Sequence, residues 1–158
     1  MKSYFEYPSP IGRIGIGEEN GYITDIRFER SAEKPKDACI TETPMIKKAN
    51  RQLEEYFAGK RRKFDLPLEI GGTDFQHRCW KALLDIPYGE TRSYADIARA
   101  VGSPRGFRAV GMANNRNHIV IVIPCHRVIG SDGGLVGFGG GLDVKKYLLN
   151  MERGYAAY

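Results

Sequence analysis

The spacing of apolar and polar positions changes about half-way along this chain, and the two halves predict different structure. Over the first 30 residues the period is two: Arg13-Ile14-Gly15-Ile16-Gly17 and the segment Tyr22 to Phe28 alternate, each placing its apolar residues on one side of a strand. Ser9-Pro10-Ile11-Gly12 is turn chemistry and Glu19-Asn20-Gly21 is a hairpin signal, so a small antiparallel sheet is expected. Residues 31–43 are polar and read as a loop. From Pro44 to Ala58 the period lengthens to that of a helix, with Ile46, Ala49, Leu53, Tyr56 and Phe57 in one stripe and Gly59 as the stop. A short strand is expected over Lys63 to Leu68, and Gly71-Gly72 marks a boundary dividing the chain into residues 1–72 and 73–158.

The second half reads as helices joined by tight turns. Asp74 is placed as the N-cap of a helix reaching about Ile86, with Phe75, Cys79, Trp80, Leu83 and Leu84 facing inward. Ser93 caps a short helix through about Val101, Gly102 turns the chain, and Ser103-Pro104 opens another helix as N-cap and first residue, reaching about Asn114. Two short helices across a glycine are a helix-turn-helix signature, a pattern that plain helix packing also produces. The β-branched run Ile119-Val120-Ile121-Val122-Ile123 is a buried strand or extended core piece, ended by Pro124, which has no N–H to donate. A last helical segment spans Leu142 to Met151.

A length of 158 residues with 42% hydrophobic composition suits one large domain or two small ones. No stretch approaches the about 18 apolar residues of a membrane span, and Met1 to Glu6 lacks the apolar core of a signal peptide, so a soluble, cytoplasmic protein is expected. Cys39, Cys79 and Cys125 are an odd set without CxxC spacing, which indicates neither a disulfide framework nor a thiolate zinc site. The net charge of +5 is unevenly placed. Residues 1–72 carry 13 Lys and Arg against 12 Asp and Glu, whereas residues 73–158 carry 11 against 7. Within Arg92 to Arg127 the charges are Arg92, Arg99, Arg105, Arg108, Arg116 and Arg127 against Asp96, a surface suited to a polyanion. Lys60-Arg61-Arg62-Lys63 reads instead as a solvated loop.

The second helix of the pair has Arg105, Arg108, Met112 and Arg116 near one face, beside a smooth strip of Gly106, Ala109 and Ala113. Readers of the major groove use long polar side chains, whereas small residues let the backbone approach, so this helix suits the sugar-phosphate walls of a minor groove. Packing against another helix is the competing explanation of the strip. Just downstream, Ile123-Pro124-Cys125-His126-Arg127-Val128 sets a thiol beside an imidazole and a guanidinium at the end of the apolar run. A cysteine there is either a small core residue or a nucleophile held away from water. Since the attacking species is a thiolate and a free thiol with pKa about 8.5 is mostly protonated at neutral pH, a nucleophile at Cys125 needs a base.

Taken together, Phe75-Gln76 through Trp80, Pro87-Tyr88-Gly89-Glu90-Thr91-Arg92-Ser93-Tyr94, Arg108-Ala109-Val110-Gly111, Asn117, and Ile123 to Val128 resemble the O6-alkylguanine-DNA alkyltransferase family. The resemblance covers the second half almost continuously and the first half mainly through Ser9-Pro10-Ile11-Gly12. It implies an α+β fold: a small N-terminal α/β domain with an antiparallel sheet, ribonuclease H-like, then a mainly helical winged helix-turn-helix-like domain. It also implies stoichiometric transfer of an alkyl group from O6 of guanine in DNA to Cys125. His126 would act as base through a water, Glu152 would orient it, and Asn117 would brace the turn. Tyr94, Val128 with the Cys125 carbonyl, and the Gly139 N–H would contact the guanine. Arg108 would fill the gap left by a flipped nucleotide. The remaining DNA contacts expected are Ser93, Arg105, Ala109, Gly111, Arg116 and Arg127, on double-stranded DNA bound by a monomer without cofactor or metal.

The chain departs from the family pattern in places. Gly139 stands where relatives often carry a side chain, the stretch Gly133 to Gly141 is rich in glycine, and Asn115 replaces a residue that is basic in some relatives. Two rival functions remain: a non-catalytic binder of alkylated bases, which would lack the acceptor thiol, and a helix-turn-helix regulator, which would need base-reading side chains and a dimer seam.

Overall fold

A computed structural model describes residues 1–30 and 35–158. Three antiparallel strands open the chain, β1 (Ser3–Tyr7), β2 (Ile14–Glu19) and β3 (Tyr22–Phe28). The β2–β3 hairpin closes on Asn20 and Gly21, with φ of 53° and 83°, the two left-handed positions of the tight turn whose twist matches the strands. A two-residue strand, β4 (Cys39–Ile40), pairs in parallel with β1, so the sheet is mixed, in the order β3-β2-β1-β4. That strand lies inside the segment expected to be loop; residues 31–34 of that expectation fall outside the described residues.

Helix α1 (Pro44–Phe57) is capped by the Thr43 side chain and lays Ile46, Ala49, Leu53 and Tyr56 against the sheet. The strand expected over Lys63 to Leu68 does not form. Ile23 N–H donates to the Pro67 carbonyl and Glu69 N–H to the Ile23 carbonyl, but Pro67 has no N–H to extend a ladder, and a single bridge to β3 remains.

In the second half, α2 (Asp74–Leu84) is capped by Thr73, not Asp74: the Thr73 hydroxyl and the Gln76 side chain form a reciprocal capping box. Leu84, expected inside, is 49% exposed. Two-residue β5 (Arg92–Ser93) leads directly into α3 (Tyr94–Ala100), capped by Ser93. The helix expected from Ser103-Pro104 begins later, as α4 (Phe107–Asn115), because Ser103 and Gly106 close a turn on each other first. The run Ile119–Ile123 is buried but is not a strand. Its first residues bridge the free edge of β3 through Ile26 N–H to the His118 carbonyl and Val120 N–H to the Ile26 carbonyl; then Ile121 turns the chain back with φ of 71°. Beyond it lie β6 (Val128–Ile129), parallel to β5, and α5 (Leu142–Arg153).

One continuous core joins the halves, running from Ile16, Ile26 and Ile46 through Trp80, Leu83 and Val110 to Ile119, Val128 and Leu148. Trp80 ties α2 to α4 through Nε1–H on the Ala113 carbonyl, 2.9 Å. Trp80→Phe keeps most of the ring contact but removes that bond, leaving the Ala113 carbonyl with the Arg116 N–H at 3.2 Å, so unfolding free energy is expected to fall by about 0.5–1.5 kcal/mol in urea titration; an unchanged midpoint would show that the bond contributes nothing.

Candidate active site

The approach to Cys125 is a strained, heavily braced turn. Ile121 is a buried β-branched residue at positive φ, a conformation that costs about 1–3 kcal/mol unless its surroundings impose it. Asn117 imposes it. Its Nδ2 donates to the Ile123 carbonyl at 2.8 Å and its Oδ1 accepts from Ile119 N–H at 2.9 Å, clamping both limbs. Pro124 (φ −82°, ψ 65°) then makes an inverse γ-turn with Cys125 N–H on the Ile123 carbonyl, and Cys125–Arg127 form one 3₁₀ turn. Pairing of Arg92 with Val128 and Ser93 with Ile129 holds this turn beside the first residue of α3, Tyr94.

The thiol is 3% exposed, and burial pushes its pKa up to about 11, against smaller lowering effects from Asn117 and Lys145. The next residue, His126, is fully buried, with Nε2 2.7 Å from Glu152 Oε2. An ionised carboxylate can only accept, so Nε2 carries the proton and Nδ1 holds the lone pair. Nδ1 has no hydrogen-bond partner. Burial lowers the His126 pKa, outweighing the pull of Glu152, so the ring is neutral at rest. Glu152 stays ionised, its pKa held well below the carboxylate range by His126 and Arg127 against the cost of burial.

Glu152 lies inside α5, not beyond it, and collects donors from three places in the chain. Arg127 gives Nε–H to Oε1 at 2.8 Å and Nη2–H to Oε2 at 3.1 Å, Tyr56 gives its hydroxyl to Oε2 at 2.5 Å, and Gly89 N–H reaches Oε1 at 3.3 Å. This overturns the expectation that Arg127 contacts DNA. Its remaining terminal nitrogen is taken by the Ile86 carbonyl at 2.7 Å, so the guanidinium is buried and committed.

Lys145 was missed in the sequence, although Lys145, Leu148, Leu149 and Glu152 are spaced i, i+3, i+4, i+7 and so share the buried face of α5. Its ammonium is completely buried, donates to the Val136 carbonyl at 3.2 Å, and lies 5.9 Å from the Tyr94 ring and 5.7 Å from that of Phe138. Burial lowers its pKa to about 8, partly offset by Cys125, which leaves it mostly charged at neutral pH. Asn114 was missed too; its Nδ2 donates to the Cys125 carbonyl at 3.1 Å.

An open cleft of about 550 Å³ borders Tyr94, the first residue of α3, and is lined also by Phe107, Gly111, Asn115, Val136 and Gly137 among others. Gly139, expected near the O6 position, lines the neighbouring cleft with Arg27, Arg116 and Asn117 instead. Val128 is buried behind the turn. On the outer surface Arg105, Arg108, Ala109 and Arg116 are exposed, and Ser93 is half-buried with its hydroxyl used as the α3 cap. The smooth strip on α4 is divided: Ala113 is core, and only Ala109 remains outside. Among the described residues no cluster of His, Cys, Asp and Glu could hold a metal ion, and no helix is long and apolar enough to cross a membrane.

Comparison with known proteins shows the family of the chain. Residues 74–154 match the family described as 6-O-methylguanine DNA methyltransferase, DNA binding domain, and residues 3–70 match its ribonuclease-like domain. The chain belongs to the O6-alkylguanine-DNA alkyltransferase family. Relatives named methylated-DNA--protein-cysteine methyltransferase include one from Methanosarcina barkeri, 53% identical over 91% of this chain and 92% of its own. The constitutive Bacillus subtilis protein of that name is 47% identical over 97% and 96%. The fold superposes on a crystal structure of Mycobacterium tuberculosis OGT in complex with DNA with a TM-score of 0.91, at 44% identity over 98% of this chain and 96% of that one.

The lowered pKa values of His126 and Glu152 make this alkyltransferase fold sensitive to acid, with lowered His118 adding to the first window and lowered Asp25 and Asp96 to the second. His126 binds its proton more weakly folded than unfolded, so stability drains as pH falls below about 6.5; Glu152 does the same below about 4.3. Urea midpoints between pH 7.5 and 3.5 are expected to fall in both windows. A midpoint flat from pH 6.5 to 5 would mean that His126 is protonated when folded.

Proposed function

We propose that this protein repairs DNA by moving an alkyl group from O6 of guanine to Cys125, once per molecule. The observation that carries the reading is a buried thiol next to a buried imidazole whose Nε2 is committed to Glu152 and whose Nδ1 is free. Family membership and the names of the relatives support it.

The reaction follows from the site. The Sγ proton passes to Nδ1 of His126, directly or through a water, and Glu152 with its fixed orientation stabilises the imidazolium. The charge of Lys145 favours the thiolate against the effect of burial. Sulfur attacks the alkyl carbon, the S–C bond forms as the C–O6 bond breaks, and guanine leaves as its oxyanion. The Tyr94 hydroxyl, at the mouth, protonates or hydrogen-bonds the leaving base. A thioether offers neither the histidine nor the carboxylate a bond they can break, so the acceptor is consumed.

A stacked base cannot reach a sulfur that is 3% exposed. The nucleotide therefore rotates out into the cleft, at a cost of a few kcal/mol, while exposed Arg108 fills the vacated stack. Double-stranded DNA carrying O6-alkylguanine is the partner, held along the minor groove by α4 and its arginines. A non-catalytic binder of alkylated bases would have no use for a buried thiol beside an oriented base.

After incubation with O6-methylguanine duplex, mass spectrometry should find one methyl on Cys125 and none on Cys125→Ala; tight binding with an unmodified Cys125 would sink the reading. Arg108→Ala should slow transfer from duplex DNA by about 30–100-fold, the equivalent of the unstacking cost, and leave reaction with free O6-methylguanine nearly unchanged. Equal losses on both substrates would remove the arginine from the flipping step.

A further inference from the structure

Tyr56 belongs to α1, in the half of the chain that supplies neither the thiol nor the DNA-facing helix, yet it touches the relay. Its side chain is completely buried and its hydroxyl donates at 2.5 Å to Glu152 Oε2, the oxygen that receives His126 Nε2 at 2.7 Å and Arg127 Nη2 at 3.1 Å. The charged and titratable groups facing this cluster are Arg127 from the thiol turn, Lys145 from α5, and Tyr88, with Arg62 stacked on its ring at 4.9 Å. Burial and Glu152 hold the Tyr56 phenol well above its ordinary range, so it is a donor at every working pH.

We infer that Tyr56 is a positioning residue for alkyl transfer, its hydroxyl setting how strongly the Glu152–His126 pair holds a proton. The inference rests on the transfer reaction proposed above. Each donor on Oε2 withdraws negative potential that would otherwise stabilise an imidazolium. With Tyr56 and Arg127 both in place, Glu152 still orients the ring but does not keep it protonated, so Nδ1 is vacant when a base arrives. Without the Tyr56 hydroxyl, His126 retains its proton to higher pH and cannot accept one from Cys125. The first half of the chain thus supplies a working part of the active site.

Tyr56→Phe removes one oxygen and little else. His77, His118 and His126 are the three histidines of the chain, so NMR titration of the imidazoles isolates the effect, with the other two as controls. The His126 pKa is expected to rise by about one unit, and the single-turnover rate on O6-methylguanine duplex to fall about five-fold at pH 6 while staying within about two-fold at pH 8.5. 3-Fluorotyrosine at position 56, a stronger donor, should move His126 the other way and serves if the phenylalanine variant does not fold. A lower melting temperature with His126 titration and pH profile unchanged would reduce Tyr56 to a packing residue and overturn the inference. Should the wild type transfer no alkyl group to Cys125, the functional reading fails on its own, and the His126 titration still decides the role of Tyr56.

Discussion

One carboxylate organises this molecule. Glu152 is buried with five donor contacts from Tyr56, Gly89, His126 and Arg127, and those residues come from the first helix, the turn after α2 and the thiol turn. A buried charge is tolerable only when its lone pairs are satisfied, so each of these segments must be in place before the anion is stable there. The same requirement orients the imidazole beside the thiol. Folding and chemical competence are therefore coupled through a single side chain: a chain that has not docked its first half onto α5 has not assembled its base.

The thiol is held in opposition to its own reactivity. Burial raises its pKa to about 11, which protects it from adventitious electrophiles and oxidants, since those react with the thiolate. Asn117 and Lys145 act against that penalty, and in the transfer proposed above His126 takes the proton. Lys145 also holds the glycine-rich stretch through the Val136 carbonyl, and Phe138 in that stretch rests against Phe28 of β3 with ring centroids 5.5 Å apart. The loop in front of the pocket is therefore pinned at two points despite its glycine content.

Much of this was legible in the sequence because it is written in local patterns. The β2–β3 hairpin follows from Asn20-Gly21, α1 from its stripe, the α3 cap from Ser93, and the thiol's neighbourhood from Pro124-Cys125-His126. What escaped depends on contacts between distant positions. Arg127 resembles the other arginines of its basic segment and is withdrawn from the surface by Glu152, 25 residues away, and by the Ile86 carbonyl. The Ile119–Ile123 run has the composition of a strand, but Asn117 and the edge of β3 bend it into a clamp. Tyr56 reads as one more apolar position on α1, because its hydroxyl acquires meaning only from a residue 96 positions on. Lys145 is the exception: its place in the i, i+3, i+4, i+7 stripe was visible and signalled a buried cation.

The two-residue ladder between β5 and β6 links the start of α3 to the thiol turn through backbone pairing. Because it joins the start of α3 to the end of the thiol turn, and because the Asn114 amide of α4 holds the Cys125 carbonyl, the distance from the helix pair to the sulfur is a fixed length, indifferent to the exposed side chains of α3 and α4. The molecule behaves as a depth gauge. Its outer surface can be redesigned for another polyanion while the reach from the helix pair to the sulfur stays constant.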